Sequence, residues 1–335
     1  MKRYKIIVLT DHANHSTENS LYPLASEMAA HPQCQYLDIS SRGNVLNDDF
    51  FHQQMTTELM VKRVTESIHF DRSGDLFVDN QQIVDFRDYD LVMLRIPRPV
   101  TDEFLKFIKG HGPEKVFVNE PLGMTNTSSK AFMLNFPECC PPIKLCKSVH
   151  DVLAFSENKS IVLKPLREYG GRGILKISGD TIDDGKEIHD KALYLRGIKQ
   201  TLEGEGYLGM TFLKNVDQGD KRIIVIGGEI LASSLRLPPD NSWICNVALG
   251  GKSVKSEATD HEKSLIAIIA PIMKEQGILI YGVDTLVNDD GKRVISEVNT
   301  MSIGGFPQAE KQTGMPLIKK TIQKIIDYTN DRFNK

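Results

Sequence analysis

Asp284, Glu297 and Asn299 place oxygen donors in a stretch that otherwise favours a buried sheet. That stretch, "DTLVNDDGKRVISEVNT" at residues 284–300, reads as a strand, a tight turn and a second strand. Asp-Gly between two β-branched runs is a strong hairpin signal. With Asp290 and Gly291 as the two central turn residues, Asp289 pairs with Lys292, and counting outward sets Asp284 opposite Glu297. Side chains alternate along a strand, so Asn299 shares the face of Glu297. Two opposed carboxylates destabilise a ladder, and the apolar neighbours Ile280, Val283, Leu286, Val294, Ile295 and Val298 leave little solvent to screen them. A hard divalent cation resolves the conflict, because Mg²⁺ takes oxygen ligands, usually one or two carboxylates plus substrate phosphates. A longer loop that shifts the register and leaves solvated surface acids is an equally good reading of these residues alone.

A second group of residues suits phosphate. In "VLKPLREYGGRGILKI", Lys164 lies just inside a strand end, and Gly170, Gly171 and Gly173 follow. Glycines allow positive φ and bring backbone N–H groups close to an anion, and a lysine ahead of them neutralises phosphate as a point charge. The spacing is not that of a Walker A loop, and a hairpin turn beside a half-buried lysine explains the stretch somewhat better when it is taken alone. "GDKRIIVIGGEI" sets Asp220, Lys221 and Arg222 at the start of a buried strand, where Arg222 can clamp a phosphoryl oxygen or merely belong to a surface charge cluster. Arg236 ends a strand before a Pro-rich loop that carries the only tryptophan, Trp243; such a loop can serve as a water-excluding lid or be ordinary surface.

The elements that must position these residues follow from periodicity. "YKIIVL", "CQYLDIS", "YDLVMLR" and "KVFVNE" read as strands, with helices over "SLYPLASEMAAH" and "TDEFLKFIKGHG" and a small hairpin over "DLFVDNQQIVDF". The alternation predicts a parallel, doubly wound sheet. No G-x-G-x-x-G follows the first strand, which argues against a dinucleotide fold. Next come a capped helix over "TNTSSKAFMLNF", strands "PPIKLCKS" and "SIVLKPL" around the helix "VHDVLAFSEN", and a strand-rich last third. That third includes "GYLGMTFL", "DKRIIVIGGEIL" and "SSLRLP", the helix "DHEKSLIAIIAPIMKEQG" and an amphipathic closing helix, "MPLIKKTIQKIIDYTNDRF". The fold class is α/β, with α+β character in the C-terminal part.

At 335 residues the chain can bury a sizeable core, and two or three domains are expected. A net charge of −3 supplies no global field for nucleic acid or anionic membrane. No apolar run is long enough to span a bilayer, and the basic start leads into a strand rather than a signal peptide. The cysteines (Cys34, Cys139, Cys140, Cys146 and Cys245) form no C-x-x-C, which suggests thiols in a reducing cytoplasm. No H-E-x-x-H occurs and nothing indicates a nucleophilic triad.

The order of these signals resembles the ATP-grasp superfamily, and within it the prokaryotic glutathione synthetases. The matching pieces are "LVMLRIPRP", "VNEPLGMTNTSSKAF", "VLKPLREYGGRGI", "GDKRIIVIGGE", "LRLPP", "NVALGGK", "GILIYGVDTL" and "SEVN". The resemblance implies a Rossmann-like substrate domain at 1–122, an ATP-grasp lid subdomain at 123–205 and a C-terminal ATP-grasp subdomain at 206–335. It implies that Lys130 and Lys164 hold ATP phosphates and that the loop of Glu168, Tyr169, Gly170, Gly171 and Gly173 closes over them. It further implies that the backbone of Met210, Thr211, Phe212 and Leu213 reads adenine, and that Asp220 and Arg222 flank the transferred phosphoryl group. Arg236 matches an arginine facing the reaction centre, Asn246 an asparagine past the lid loop, and Arg95 an arginine near the acceptor peptide. Asp284, Glu297 and Asn299 match ligands of Mg²⁺, or of Mn²⁺ in its place. Asp11, Asn19 and Ser20 lie where further substrate contacts can arise.

The implied activity is ATP-dependent ligation of a carboxylate to an amine through an acyl phosphate, with γ-glutamylcysteine and glycine as small-molecule substrates. A cytoplasmic homo-oligomer with no nucleic-acid or membrane partner completes the expectation. Two departures from the family pattern point instead to a sibling ligase that joins other amino acids or dipeptides. Ile244 stands where the family carries an arginine, and "TMSIGGF" replaces Thr-Ser-Pro after E-x-N. In that segment Gly304 and Gly305 can offer N–H groups to a carboxylate at a helix start. A nucleotide-binding protein without ligase activity is the reading from another class.

Overall fold

The computed structural model describes residues 2–65, 67–238, 243 and 252–334. Three sheets carry the described residues. The first comprises β1 (Tyr4–Thr10), β2 (Cys34–Ser41), β3 (Glu58–Val64), β4 (Gln82–Asp85), β5 (Leu91–Arg95) and β6 (Val116–Val118), in the order β4-β3-β2-β1-β5-β6. Strands β2, β1, β5 and β6 are parallel, whereas β3 and β4 are added antiparallel at one edge. The sheet is therefore mixed rather than all parallel. The hairpin expected within "DLFVDNQQIVDF" is absent: its first half is a 3-10 turn at Asp75–Phe77 and its second half, β4, pairs with β3. Thr10 lies beside Arg95 at the carboxyl ends of β1 and β5, the topological switch point at which open α/β sheets receive ligands.

The second sheet is antiparallel and contains β7 (Ile143–Cys146), β8 (Ile161–Pro165), β9 (Leu175–Ser178), β10 (Thr181–Asp183), β11 (Ile188–Asp190) and β12 (Tyr207–Thr211), in the order β11-β10-β9-β8-β12-β7. The third is antiparallel as well: β13 (Asp220–Ile226), β14 (Glu229–Leu237), β15 (Lys252–Ser256), β16 (Ile280–Val287) and β17 (Arg293–Asn299), in the order β15-β14-β13-β16-β17. The stretch "TNTSSKAFMLNF" is not one helix. It completes a helix at Pro121–Thr127 and restarts as a 3-10 helix at Lys130–Asn135, where the Ser129 side chain accepts from the Ala131 N–H. The helix start expected at Gly304 and Gly305 is present: a helix at Phe306–Thr313 begins from Gly305 at φ +93°.

Period-two alternation divides the first sheet between two cores: Ile7 and Leu9 face one, Ile6 and Val8 the other. The closing helix Leu317–Phe333 packs Ile318, Ile322, Ile325 and Ile326 into the second of these. The second sheet keeps a core of its own around Cys146, Val152, Ile161 and Leu163. One buried amide joins the first sheet to the third. Asn119 donates to Ile280 O (2.6 Å) and Thr300 O (2.8 Å), while its Oδ1 accepts from the Leu279 and Ile280 N–H groups, both at 2.8 Å. Nearby, a Cβ on Gly123 would stand 1.7 Å from Gln276 O, so only glycine permits that approach. No helix among the described residues is long and apolar enough to cross a membrane.

Candidate active site

The β16–β17 hairpin sets Asp284 directly opposite Glu297, by a route other than the two-residue turn expected from the sequence. The Asn288 N–H donates to Lys292 O (2.8 Å), so the loop holds three residues, Asp289 to Gly291, with Gly291 at φ +76°. Continued regularly, that turn would pair Asp284 with Ser296. A β-bulge between Asp284 and Thr285 takes up Ser296 as an extra residue and restores the pairing with Glu297. The bulged residue is held at both ends: Ser296 Oγ donates to Asp284 O (3.1 Å), and Ser296 O accepts from Lys164 Nζ (2.8 Å).

Strand β13 supplies the next row. Arg222 pairs with Asp284 across the ladder, and its guanidinium grips both carboxylate oxygens, Nη2 to Oδ2 at 2.8 Å and Nε to Oδ1. Gly282 makes room for it, since a Cβ there would lie 3.1 Å from Arg222 Cδ. On β14, Arg236 lies across from Asp220, donates to its Oδ2, and reaches Asp284 Oδ2 at 2.9 Å. Burial alone would raise the pKa of Asp284, but Arg222 and Arg236 outweigh it and hold the carboxyl well below its usual range. Burial first, and then the charge of Asp284, push Asp220 up to about 7. Lys221 points to the opposite face, pairing with the buried Glu262 at 2.7 Å rather than with anything in the site.

These residues line a cavity of about 300 Å³. Its lining includes Lys164, Tyr169, Gly170 and Gly171 together with Asp220, Arg222, Arg236, Asp284, Glu297 and Asn299. Gly170, Gly171 and Gly173 all take positive φ, as the loop reading requires. Lys130 joins through Glu297 (Nζ to Oε1, 3.6 Å) and donates to Glu168 O. Met210, Thr211, Phe212 and Leu213 form another wall. The Thr211 and Phe212 N–H groups already donate to Pro142 O (3.0 Å) and Ser160 O (2.9 Å), so a base edge there would meet the segment's carbonyls and remaining amides.

Sequence reasoning missed the apolar part of the lining, Val162, Ile174 and Leu286. Val162 and Leu286 lie two residues from Lys164 and Asp284, so strand alternation was the signal that could have found them. Trp243 also lines the cavity, its indole N–H donating to Asp183 Oδ2 at 3.0 Å. Asn246 and Ile244 lie outside the described residues.

The donor set fits a hard cation. Among the described residues no three His, Cys, Asp or Glu side chains form a metal cage. A cation would therefore rest on Asp284, Glu297 and Asn299 together with ligand oxygens, the pattern of Mg²⁺ bound with phosphates. Asp220 Oδ1 is buried without a hydrogen-bond partner among the described residues, and the Asn299 amide nitrogen lies 3.4 Å from Asp284 Oδ2.

Arg95, Gly304 and Gly305 are not in this cavity; they gather at the switch point of the first sheet. Arg95 Nη1 donates to Ile303 O (2.7 Å), next to Gly304 and Gly305. Its Nε is buried without a partner, and no carboxylate pairs with it among the described residues. Burial pushes its pKa down to about 10. Ser20 Oγ is likewise buried and without a partner among the described residues, 3.9 Å from where a Gly304 Cβ would lie. Asp11 pairs with Arg42 (2.8 Å), and Asn19 Oδ1 accepts from the Leu21 N–H (2.9 Å) at a helix start. Two histidines unnoticed in the sequence line the same end of β1: His12 contacts Ser41 Oγ through Nδ1 (2.7 Å), and His15 contacts Thr10 Oγ1 (3.2 Å) and Tyr22 OH (3.0 Å).

A family model described as "Prokaryotic glutathione synthetase, ATP-grasp domain" matches residues 129–314, more than half of the chain. Among curated relatives, the glutathione synthetase of Rhodopseudomonas palustris is 29% identical over 262 residues, covering 77% of this chain and 79% of its own length. That of Brucella melitensis biotype 1 is 29% identical over 234 residues, covering 69% and 71%. Solved structures share the fold at low identity. The D-cycloserine synthetase DcsG superposes with a TM-score of 0.64 at 13% identity, over 97% of this chain and 99% of its own. The ATP-grasp ligase PsnB with its precursor peptide and AMPPNP gives 0.57 at 14%, over 97% and 98%.

Proposed function

Because the chain belongs to the ATP-grasp family of the prokaryotic glutathione synthetases, and is a glutathione synthetase-like ligase that uses ATP, we propose that it joins the cysteinyl carboxylate of γ-glutamylcysteine to the amine of glycine. The observation that carries this reading is the meeting of Lys164 and the glycine-rich loop with Asp284, Glu297 and Asn299 in one cavity. A carboxylate is a poor acyl donor because its leaving group would be oxide. Transfer of the γ-phosphoryl group of ATP to it releases ADP and makes an acyl phosphate. Attack by the amine then forms the amide, with loss of phosphate and a proton.

The residues position reactants and neutralise charge, which is most of what such a reaction needs. Lys130 and Lys164 offset phosphate charge, and the loop from Glu168 to Gly173 covers it. Arg222 faces the transferred phosphoryl group, and Arg236 the acyl carbon. Asp284, Glu297 and Asn299 would hold Mg²⁺, or Mn²⁺, which supplies Lewis-acid neutralisation of phosphate oxygens. Met210 to Leu213, with Val162 and Leu286, would take the base. The guanidinium of Arg95, which pairs with no carboxylate among the described residues and lies beside Gly304 and Gly305, suits a substrate carboxylate. Asn246 is proposed to line the substrate side from the loop. The unpaired thiols of Cys34, Cys139, Cys140 and Cys146 favour a reducing cytoplasm, and a homo-oligomer is the expected assembly.

Phosphate release assayed over a panel of acyl donors and amines tests this directly. Turnover with γ-glutamylcysteine and glycine supports it; turnover only with another pair replaces it with a sibling ligase. That second reading draws on the segment after β17, where Ser302 adopts φ +40° and sets the loop against Arg95. A protein that binds ATP but hydrolyses none with any pair would be a nucleotide-binding protein only.

A further inference from the structure

The segment from Arg95 to Thr101 leaves β5 and ends at the cap of the helix Asp102–Gly110, where Thr101 Oγ1 accepts from the Phe104 N–H (3.1 Å). Arg95, at its start, lies in the switch-point crevice. Arg98, three residues on, points the other way and reaches the base of the glycine-rich loop. Its Nη1 donates to Arg167 O (2.7 Å) and its Nη2 to Ser128 O (2.8 Å). The loop grips back: Arg167 pairs with Asp102 (3.2 Å) and donates to Ser128 Oγ (3.2 Å), and Tyr169 OH donates to Arg98 O (3.4 Å). On the crevice side the same segment is held by Arg42, which donates to Pro97 O (3.0 Å) and Pro99 O and pairs with Asp11. Pro97 and Pro99 flank Arg98 and restrict the backbone between the two grips.

A short, stiff segment therefore touches both places where ligands are expected. The Arg167–Asp102 pair is too solvated to dominate. The two carbonyl bonds of Arg98 are charge-assisted, and burial lowers the pKa of Arg98 against the pull of Glu297. We propose that Arg98 is a positioning residue that latches the glycine-rich loop onto the N-terminal crevice, so that filling the crevice and closing the loop over nucleotide favour one another. The coupling rests on the ligase reading above; the latch itself does not. Linkage makes the effect reciprocal, so it can be read from either ligand.

The test compares wild type with Arg98→Met and Arg98→Lys by titration calorimetry of Mg–AMPPNP, with and without γ-glutamylcysteine, and by tryptic cleavage after the exposed Arg172. In wild type each ligand should tighten the other by about fivefold or more, within the usual range of coupling between sites, and cleavage should slow when both are bound. In Arg98→Met the coupling factor should fall towards one and cleavage should stay fast, while the thermal midpoint changes little; Arg98→Lys should recover part of both. A wild-type factor of one, or an unchanged factor and unchanged protection in Arg98→Met, overturns the proposal. If wild type binds neither probe, the ligase reading fails instead. The latch is then judged on the ligand-free protein: faster cleavage after Arg172 in Arg98→Met supports it, and equal cleavage rejects it.

Discussion

Asp284 and Glu297 stand face to face on β16 and β17 because a bulge at Ser296 cancels the extra residue of the turn beyond it. The two irregularities are a matched pair. Deleting Ser296 should leave Glu297 opposite Asp284 on an unbulged ladder, but it removes the carbonyl that accepts from Lys164 Nζ and the local bend that the bulge gives β17. Phosphate release should vanish on deletion and persist in Ser296→Ala, which keeps the backbone. Glu297→Gln, which keeps the shape, should weaken the response to Mg²⁺ by at least about 10–100-fold, the scale found for even indirect metal partners. Unchanged Mg²⁺-dependent turnover in that variant would remove Glu297 from the metal site.

His15 should make the ligand-free protein sensitive to mild acid. Burial, then His12 and Arg95, lower its pKa to about 4 against an opposing pull from Asp11. Thr10 Oγ1 donates to Arg95 O (3.2 Å), so it accepts from His15 Nε2–H, and Tyr22 OH donates to Nδ1; this assigns a neutral ring. Between about pH 4 and 6.5 the unfolded chain binds a proton at this ring that the folded one does not, so stability rises with pH across that window and is lost as pH falls. The thermal midpoint of His15→Gln should therefore fall less between pH 6.5 and 4.5 than that of wild type. Parallel curves would show that His15 does not titrate this way.

Asn119 makes four hydrogen bonds between the first and third sheets. Truncation to alanine strands two buried N–H groups and two carbonyls, each worth about 1–3 kcal/mol when left unpaired. Asn119→Ala should lose about 3 kcal/mol or more in urea unfolding. A loss below about 1 kcal/mol would mean that water replaces the amide.

Gly123 should tolerate no side chain. Its missing Cβ faces Gln276 O at 1.7 Å, backbone against backbone, so Gly123→Ala must push the helix Pro121–Thr127 off the end of the helix Asp260–Glu275, at about 1–3 kcal/mol or more. Leu122→Ala, on the exposed side of the same helix, should stay within about 0.5 kcal/mol. Equal effects in chemical denaturation would contradict the close approach.

Local signals carried much of the fold. Alternation identified β1, β2, β5, β8 and β13, and the helices expected over "TDEFLKFIKGHG" and "DHEKSLIAIIAPIMKEQG" form where the sequence placed them. Glycine spacing announced the positive φ angles of the loop. The pairing of Asp284 with Glu297 was right, but through a two-residue turn that does not exist, because a bulge leaves no local trace in composition. β4 was misassigned because its partner, β3, lies some twenty residues earlier rather than next door. Asn119, Arg98 and Arg95 take their meaning from groups far along the chain, and periodicity cannot report where such side chains end up. Lys221 was grouped with Asp220 and Arg222, although alternation alone sends it to the opposite face.

The closing helix has a consequence for the order in which the protein can become whole. Its isoleucines Ile318, Ile322, Ile325 and Ile326 cover the face of the first sheet that carries Ile6 and Val8, and its Asn330 accepts from Tyr4 OH (2.6 Å) and Gln33 (2.9 Å). On the ribosome, β1 must wait for a helix that lies far downstream in the sequence before that face is shielded from water. Synthesis delivers the sheet well ahead of the helix that seals it.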